Sequence, residues 1–177
     1  MNKTLAAALA CAAGLGLCAS AQAADGTLTF EGVINARTCT LDPATSNQTI
    51  SLSGVNTTDF TGVGTYAGSQ PFTLKVSGCD TDAVVAALFA TGGSVDPTNG
   101  NLNNAIADGT DAQIALFRAD TDAKIDLASY GSSAEYTATT DANGDASLAF
   151  IARYAAKTAT VKPGQLRTQL QYTMSYQ

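Results

Sequence analysis

Apolar and polar residues alternate with a period of two along most of this chain, the repeat that a half-buried β-strand imposes. Gly26, Leu28, Phe30, Gly32 and Ile34 form one face of a first segment, with Thr27, Thr29, Glu31 and Asn35 on the other. The same alternation sets Ile50 beside Leu52 within Gln48–Ser53, and sets Phe72, Leu74 and Val76 on a strand running into Cys79. Val84–Ala90 is continuously apolar and predicts a strand buried on both faces. Further strands are predicted around Ile114 and Leu116, over Lys124–Leu127, through Leu148, Phe150, Ala152 and Tyr154, and finally through Leu170, Tyr172, Met174 and Tyr176. Helical periodicity is scarce. Turn chemistry separates the runs, at Asp42-Pro43, Gly92-Gly93, Asp96-Pro97, Asn99-Gly100, Asp108-Gly109, Asn143-Gly144 and Pro163-Gly164. Short strands joined in this way predict an all-β, immunoglobulin-like antiparallel β-sandwich, one domain with no linker and no internal repeat.

Residues 1–23 stand apart from that pattern. Lys3 supplies a positive start, Leu5–Leu17 is apolar and rich in Ala, and Ala21-Gln22-Ala23 is a small-x-small cleavage signal. These are the parts of an export signal cleaved between Ala23 and Ala24, too short to span a bilayer as an anchor. Its removal leaves 154 residues and, with the loss of Lys3, moves the net charge from −6 to −7. No basic patch remains, which argues against nucleic acid as a partner.

Cys39 and Cys79 are the two cysteines that survive processing, and an even pair in an exported chain reads as a disulfide. The chain has no histidine, so the usual general base and the commonest metal ligand are missing together. With both thiols paired, cysteine nucleophiles and thiolate metal sites go as well. Aspartate is plentiful, but Asp80/Asp82, Asp120/Asp122 and Asp141/Asp145 sit in or beside turn signals, where Asp bonds its own backbone. The Asp141–Asp145 stretch is a poor calcium loop, because its Gly falls too early and no Glu closes it. No catalytic residue, metal site or cofactor is expected.

The two ends carry the rest. After cleavage the chain opens almost at once on a strand bearing Leu28 and Phe30, each worth about 1.5–3 kcal/mol on burial. They must pack either in this domain or in another molecule, and composition alone leaves both open. A self-contained secreted sandwich that binds carbohydrate is the alternative class; against it stand the absence of Trp and an aromatic content of only 7%.

Taken together and in order, several segments resemble the chaperone–usher pilins of the type 1 pilus family. Ala24–Gly32, then Val33-Ile34-Asn35 and Cys39-Thr40-Leu41, is similar to that family's N-terminal extension and first strand. Phe72–Cys79 resembles its second-cysteine strand, Asp111–Phe117 a central strand, and Leu148–Tyr154 another. Pro163-Gly164, with Gly164 fourteenth from the end and Tyr176 penultimate, is similar to its terminal motif. The resemblance implies a sandwich lacking its seventh, C-terminal strand, with residues 24–36 as a donor-strand extension and 37–177 as the pilin domain. Gly26, Leu28, Phe30, Gly32 and Ile34 would then complete a neighbouring subunit, with Gly32 at the position that admits no side chain. Gly164, Leu170, Tyr172, Met174 and Tyr176 would edge the receiving groove. The implied partners are neighbouring pilin subunits, a periplasmic chaperone, an outer-membrane usher and a host or surface receptor reached through the fibre. The implied location is the cell surface, by way of the periplasm, in a fimbria serving adhesion or biofilm.

Overall fold

The alternating pattern folds into two antiparallel sheets in a computed structural model that describes residues 39–129 and 136–177. The longest strands, β2 (Tyr66–Ser77) and β7 (Ala146–Ala155), pair through the middle of the larger sheet, with Phe72 opposite Phe150 and Leu74 opposite Leu148. β4 (Gln113–Arg118) lies on the far side of β7, and β5 (Lys124–Ile125) borders it. β1 (Thr40–Leu41) borders β2, giving the order β1-β2-β7-β4-β5. The smaller sheet has the order β6-β3-β8, built from β6 (Thr137–Thr139), β3 (Val84–Phe89) and β8 (Tyr172–Tyr176).

The inward residues of the two sheets meet in one core. Leu74, Leu116, Leu148 and Phe150 come from the larger sheet, Ala87 and Phe89 from the smaller, with Ile125 and Leu127 beside them. Phe150 is fully buried, and the rings of Phe72, Phe89 and Tyr136 lie 5.2, 5.4 and 5.3 Å from its own. Such offset and edge-on pairs add to what the buried area alone contributes. The expectation for Val84–Ala90 holds over its middle: Val85, Ala86, Ala87 and Phe89 are buried on both faces, whereas Val84 and Leu88 are half-buried and Ala90 lies exposed beyond the end of β3.

Four local readings differ from the structure, each for a physical reason. β2 starts earlier than its clear alternation, because Gly68 (φ +65°) makes an irregularity between Ala67 and Gln70 that resets the period. Asp42-Pro43 opens a single helical turn, α1 (Pro43–Ser46), with the Asp42 carboxylate accepting from the Ala44 amide at 2.9 Å and Pro43 at the first helical position. Lys124–Leu127 is ladder only over β5, and Leu127 is buried from the turn that follows. Gln48–Ser53 forms no strand, although Ile50 and Leu52 both pack against the core.

The aspartates act as turn and scaffold groups. The Asn143 and Asp145 amides donate to Asp141 at 2.8 and 3.0 Å, and Arg118 and Arg153 engage Asp120 and Asp122. Among the described residues the one buried carboxylate, Asp96, accepts from Thr98 and Gln113 and pairs with Lys157 at 3.0 Å. The Thr98 hydroxyl and amide, ahead of Lys157, hold its carboxyl well below the usual carboxylate range. Gln113, itself buried, also donates to Asn103 and accepts from Asn99 and Asn101. The network fixes one end of the sandwich.

Candidate functional site

β8 pairs with β3 along one side only, with Phe89 opposite Tyr172, Ala87 opposite Met174 and Val85 opposite Tyr176. Among the described residues its other side has no neighbour, so it is an edge strand in a sheet of three. Joined to it by the hydrogen bond from Tyr172 to Ser46 is the stretch 47–55, which forms neither helix nor strand, and no residue from 48 to 55 makes a backbone–backbone hydrogen bond to any described residue. That stretch is anchored through its flanks. Asp42 donates its amide to the Lys75 carbonyl, the Lys75 amide donates to Thr45 Oγ1, and Gln48 Nε2 donates to the Thr73 carbonyl.

Both rims turn apolar side chains toward the core and leave them incompletely covered. Ile50 and Leu52 do so from one side, and Leu166, Leu170, Tyr172 and Met174 from the other. From 166 to 174 the half-buried positions recur at every second residue, the pattern of an extended segment with one face turned to the core. The result is an apolar groove flanked, among the described residues, by the free side of β8 and by the unladdered stretch 48–55. It opens at the Gly164 end into a cleft of about 650 Å³ whose walls include Val55, Phe60, Tyr154, Val161 and Leu166.

The terminal residues singled out by sequence therefore come together. Tyr172, Met174 and Tyr176 lie on β8 and Leu170 two residues before it, all on the inward row. Gly164 sits where the chain passes Gly109 and Thr110 so closely that a Cβ would stand 2.6 Å from the Thr110 amide nitrogen. Burial pushes the Tyr172 and Tyr176 phenols up, so both remain protonated donors at neutral pH. Cys39 and Cys79 are joined in a disulfide that ties the start of β1 to the end of β2. Gly26, Leu28, Phe30, Gly32, Ile34, Ala23 and Ala24 lie outside the described residues.

Sequence reading passed over the second rim, Ile50 and Leu52, as part of the site. The available signal was an alternating run after a helical turn with no hairpin partner on either side. It also passed over Thr168, which faces inward between Leu166 and Leu170 and whose hydroxyl is buried without a partner. An unsatisfied buried hydroxyl costs about 1–3 kcal/mol. Thr168→Val keeps the shape and removes the orphan. Thermal unfolding of this variant is expected to move up by about 2–4 °C, the shift that ~1 kcal/mol produces at this size, and an unchanged or lower midpoint would show the hydroxyl to be satisfied.

Comparison with known proteins gives the family of this sandwich. The family model described as "Fimbrial protein" matches residues 28–177. The F17 fimbrial protein of Escherichia coli is 34% identical over 161 residues, covering 86% of this chain and 88% of its own. The major fimbrial subunit SMF-1 of Stenotrophomonas maltophilia is 31% identical over 164 residues, covering 89% and 95%. Among solved structures, a Burkholderia pseudomallei antigen and type I fimbria protein superposes with a TM-score of 0.52 at 26% identity, covering 78% of this chain and 88% of that one. The chain belongs to the fimbrial protein family. It is a pilin, a structural subunit that assembles with other pilin subunits into a surface pilus.

Proposed function

We propose that this subunit polymerises by donor-strand exchange. Residues 24–36, exposed once the leader is cleaved between Ala23 and Ala24, enter the groove of a neighbouring copy. There Leu28 and Phe30 are the anchors that fill it, Gly26 and Ile34 continue the same face, and Gly32 passes where a side chain does not fit. The observation that carries this reading is the pairing of an edge strand, β8, with an unladdered stretch, 47–55, over one shared apolar floor. An inserted strand would satisfy the backbone of both rims while its alternate side chains set the register, which is how strand addition gains affinity and specificity.

The same groove explains the remaining partners. An apolar slot edged by free backbone invites wrong pairing, so a periplasmic chaperone lends a strand until an outer-membrane usher exchanges it for the next subunit. The chain performs no catalysis in this account. Its product is the fibre, which carries adhesion or biofilm attachment at the cell surface.

Deleting residues 24–35 tests the reading without touching the groove. The truncated protein, produced with no chaperone, is expected to aggregate and to be restored to soluble monomer by a synthetic peptide spanning Asp25–Ile34. A truncated protein that is fully stable alone, or one indifferent to the peptide, would remove the donor-strand assignment.

A further inference from the structure

We propose that Tyr172 is a positioning residue for strand uptake, a strut that holds the two rims of the groove one strand apart while it is empty. The proposal rests on the donor-strand reading above and adds to it a role for one side chain. Tyr172 sits on β8, with its ring 6.5 Å from that of Phe89 in an edge-on contact. Its hydroxyl donates to the Ser46 carbonyl at 2.8 Å, across 126 residues of sequence. Ser46 is the last residue of α1 and leads directly into the stretch 47–55. Among the described residues this is the one hydrogen bond that joins the 42–56 region to the 162–177 region.

The span explains why a tyrosine suits the position. A strand inserted between two others needs their backbones two ladder spacings apart, about 9.5 Å. A tyrosine side chain followed by a hydrogen bond of 2.8 Å reaches about that far, whereas no aliphatic side chain both reaches and bonds. The two rims are otherwise held by different sheets: the Ser46 rim by β2, through Thr45 and Gln48, and the Tyr172 rim by β3. Without the phenol, nothing polar among the described residues couples them, and the half-buried apolar side chains of the two rims favour their collapse onto one another. Once a donor strand is in place its own ladder bonds hold the spacing. The strut therefore matters for entry and adds little to the finished complex.

The test follows uptake of a fluorescent Asp25–Ile34 peptide by the full processed chain, with Leu28→Asp and Phe30→Asp disabling its own extension. Tyr172→Phe, which removes only the hydroxyl, is expected to slow association about tenfold, the order of one neutral hydrogen bond, while the filled complexes unfold at the same temperature. Uptake at the parent rate would overturn the strut and leave the donor reading standing. No uptake by the parent itself would overturn the donor reading and the strut with it. A second measurement does not depend on the folding of that variant. Spin labels on cysteines replacing the exposed Thr49 and Thr173, in a chain that keeps Tyr172, are expected to report the same separation before and after uptake. A change on the order of a full strand spacing, about 4.8 Å, would show the empty rims to be unpropped.

Discussion

Cells producing the Leu28→Asp, Phe30→Asp double variant as their only copy of this subunit are expected to bear no fibres, while the processed protein still accumulates in the periplasm. The groove presents the half-buried side chains of Ile50, Leu52, Leu166, Leu170, Tyr172 and Met174, which pack against a core that includes Leu74 and Phe150. Against such a surface Leu28 and Phe30 contribute about 1.5–3 kcal/mol each, and placing two carboxylates there instead adds a desolvation cost of several kcal/mol. The combined loss corresponds to at least four orders of magnitude in each subunit–subunit equilibrium.

The geometry adds a sharper expectation for mixed populations. An interior subunit must both give a strand and receive one. The double variant keeps an intact groove and cannot give, so in a strain that also makes the unaltered subunit it belongs at one end of a fibre and nowhere inside. Electron microscopy with an epitope on the variant reads this directly. Epitope label along the fibre shafts would sink the assignment of Leu28 and Phe30 as anchors, and with it the direction of strand donation argued above.

Much of this architecture was legible in the period-two pattern, because burial on one face of a strand leaves a mark at every second residue. Phe72, Leu74, Leu148 and Phe150 alternate in sequence and face one another in the core. The last strand was legible for the same reason, and so was the disulfide, since two cysteines in an exported chain have few other uses. What stayed hidden was set by contacts far apart in the chain. Gly68 masks the first part of β2 by shifting its register, a distortion visible only against β7. Among the described residues the stretch 47–55 has a strand's pattern without a strand's ladder, and sequence pattern alone does not show which segments pair. Tyr172 and Ser46 are separated by 126 residues, so no local rule connects them. Gln113 reads as an ordinary polar residue beside an apolar strand, yet it is buried and binds Asp96, Asn99, Asn101 and Asn103.

Replacing both Cys39 and Cys79 by serine is the substitution within the described domain with the largest expected effect. The bridge closes a sequence separation of 40 residues, which on the chain-entropy account stabilises the fold by about 4 kcal/mol. For a domain of this size that predicts a fall in thermal midpoint of about 8–16 °C. The loss falls where the groove is most dependent on it. Cys79 is buried with Val76 and Val85, and Leu41, Met174 and Tyr176 pack against that cluster, so the bridge holds together the ends of β1, β2 and β8. β1 has only two ladder positions, Thr40 with Ser77 and Leu41 with Val76, and the rim at 47–55 is reached through it. The disulfide is therefore expected to govern the donor-binding rim more than the far end of the sandwich, where the Gln113 network lies. Hydrogen exchange on the double-serine protein, complemented with the Asp25–Ile34 peptide, checks the distribution. Protection should fall first around β1 and the 172–176 strand and persist in β4 and β7, whereas a uniform loss would show that the bridge stabilises the whole domain without favouring its rim.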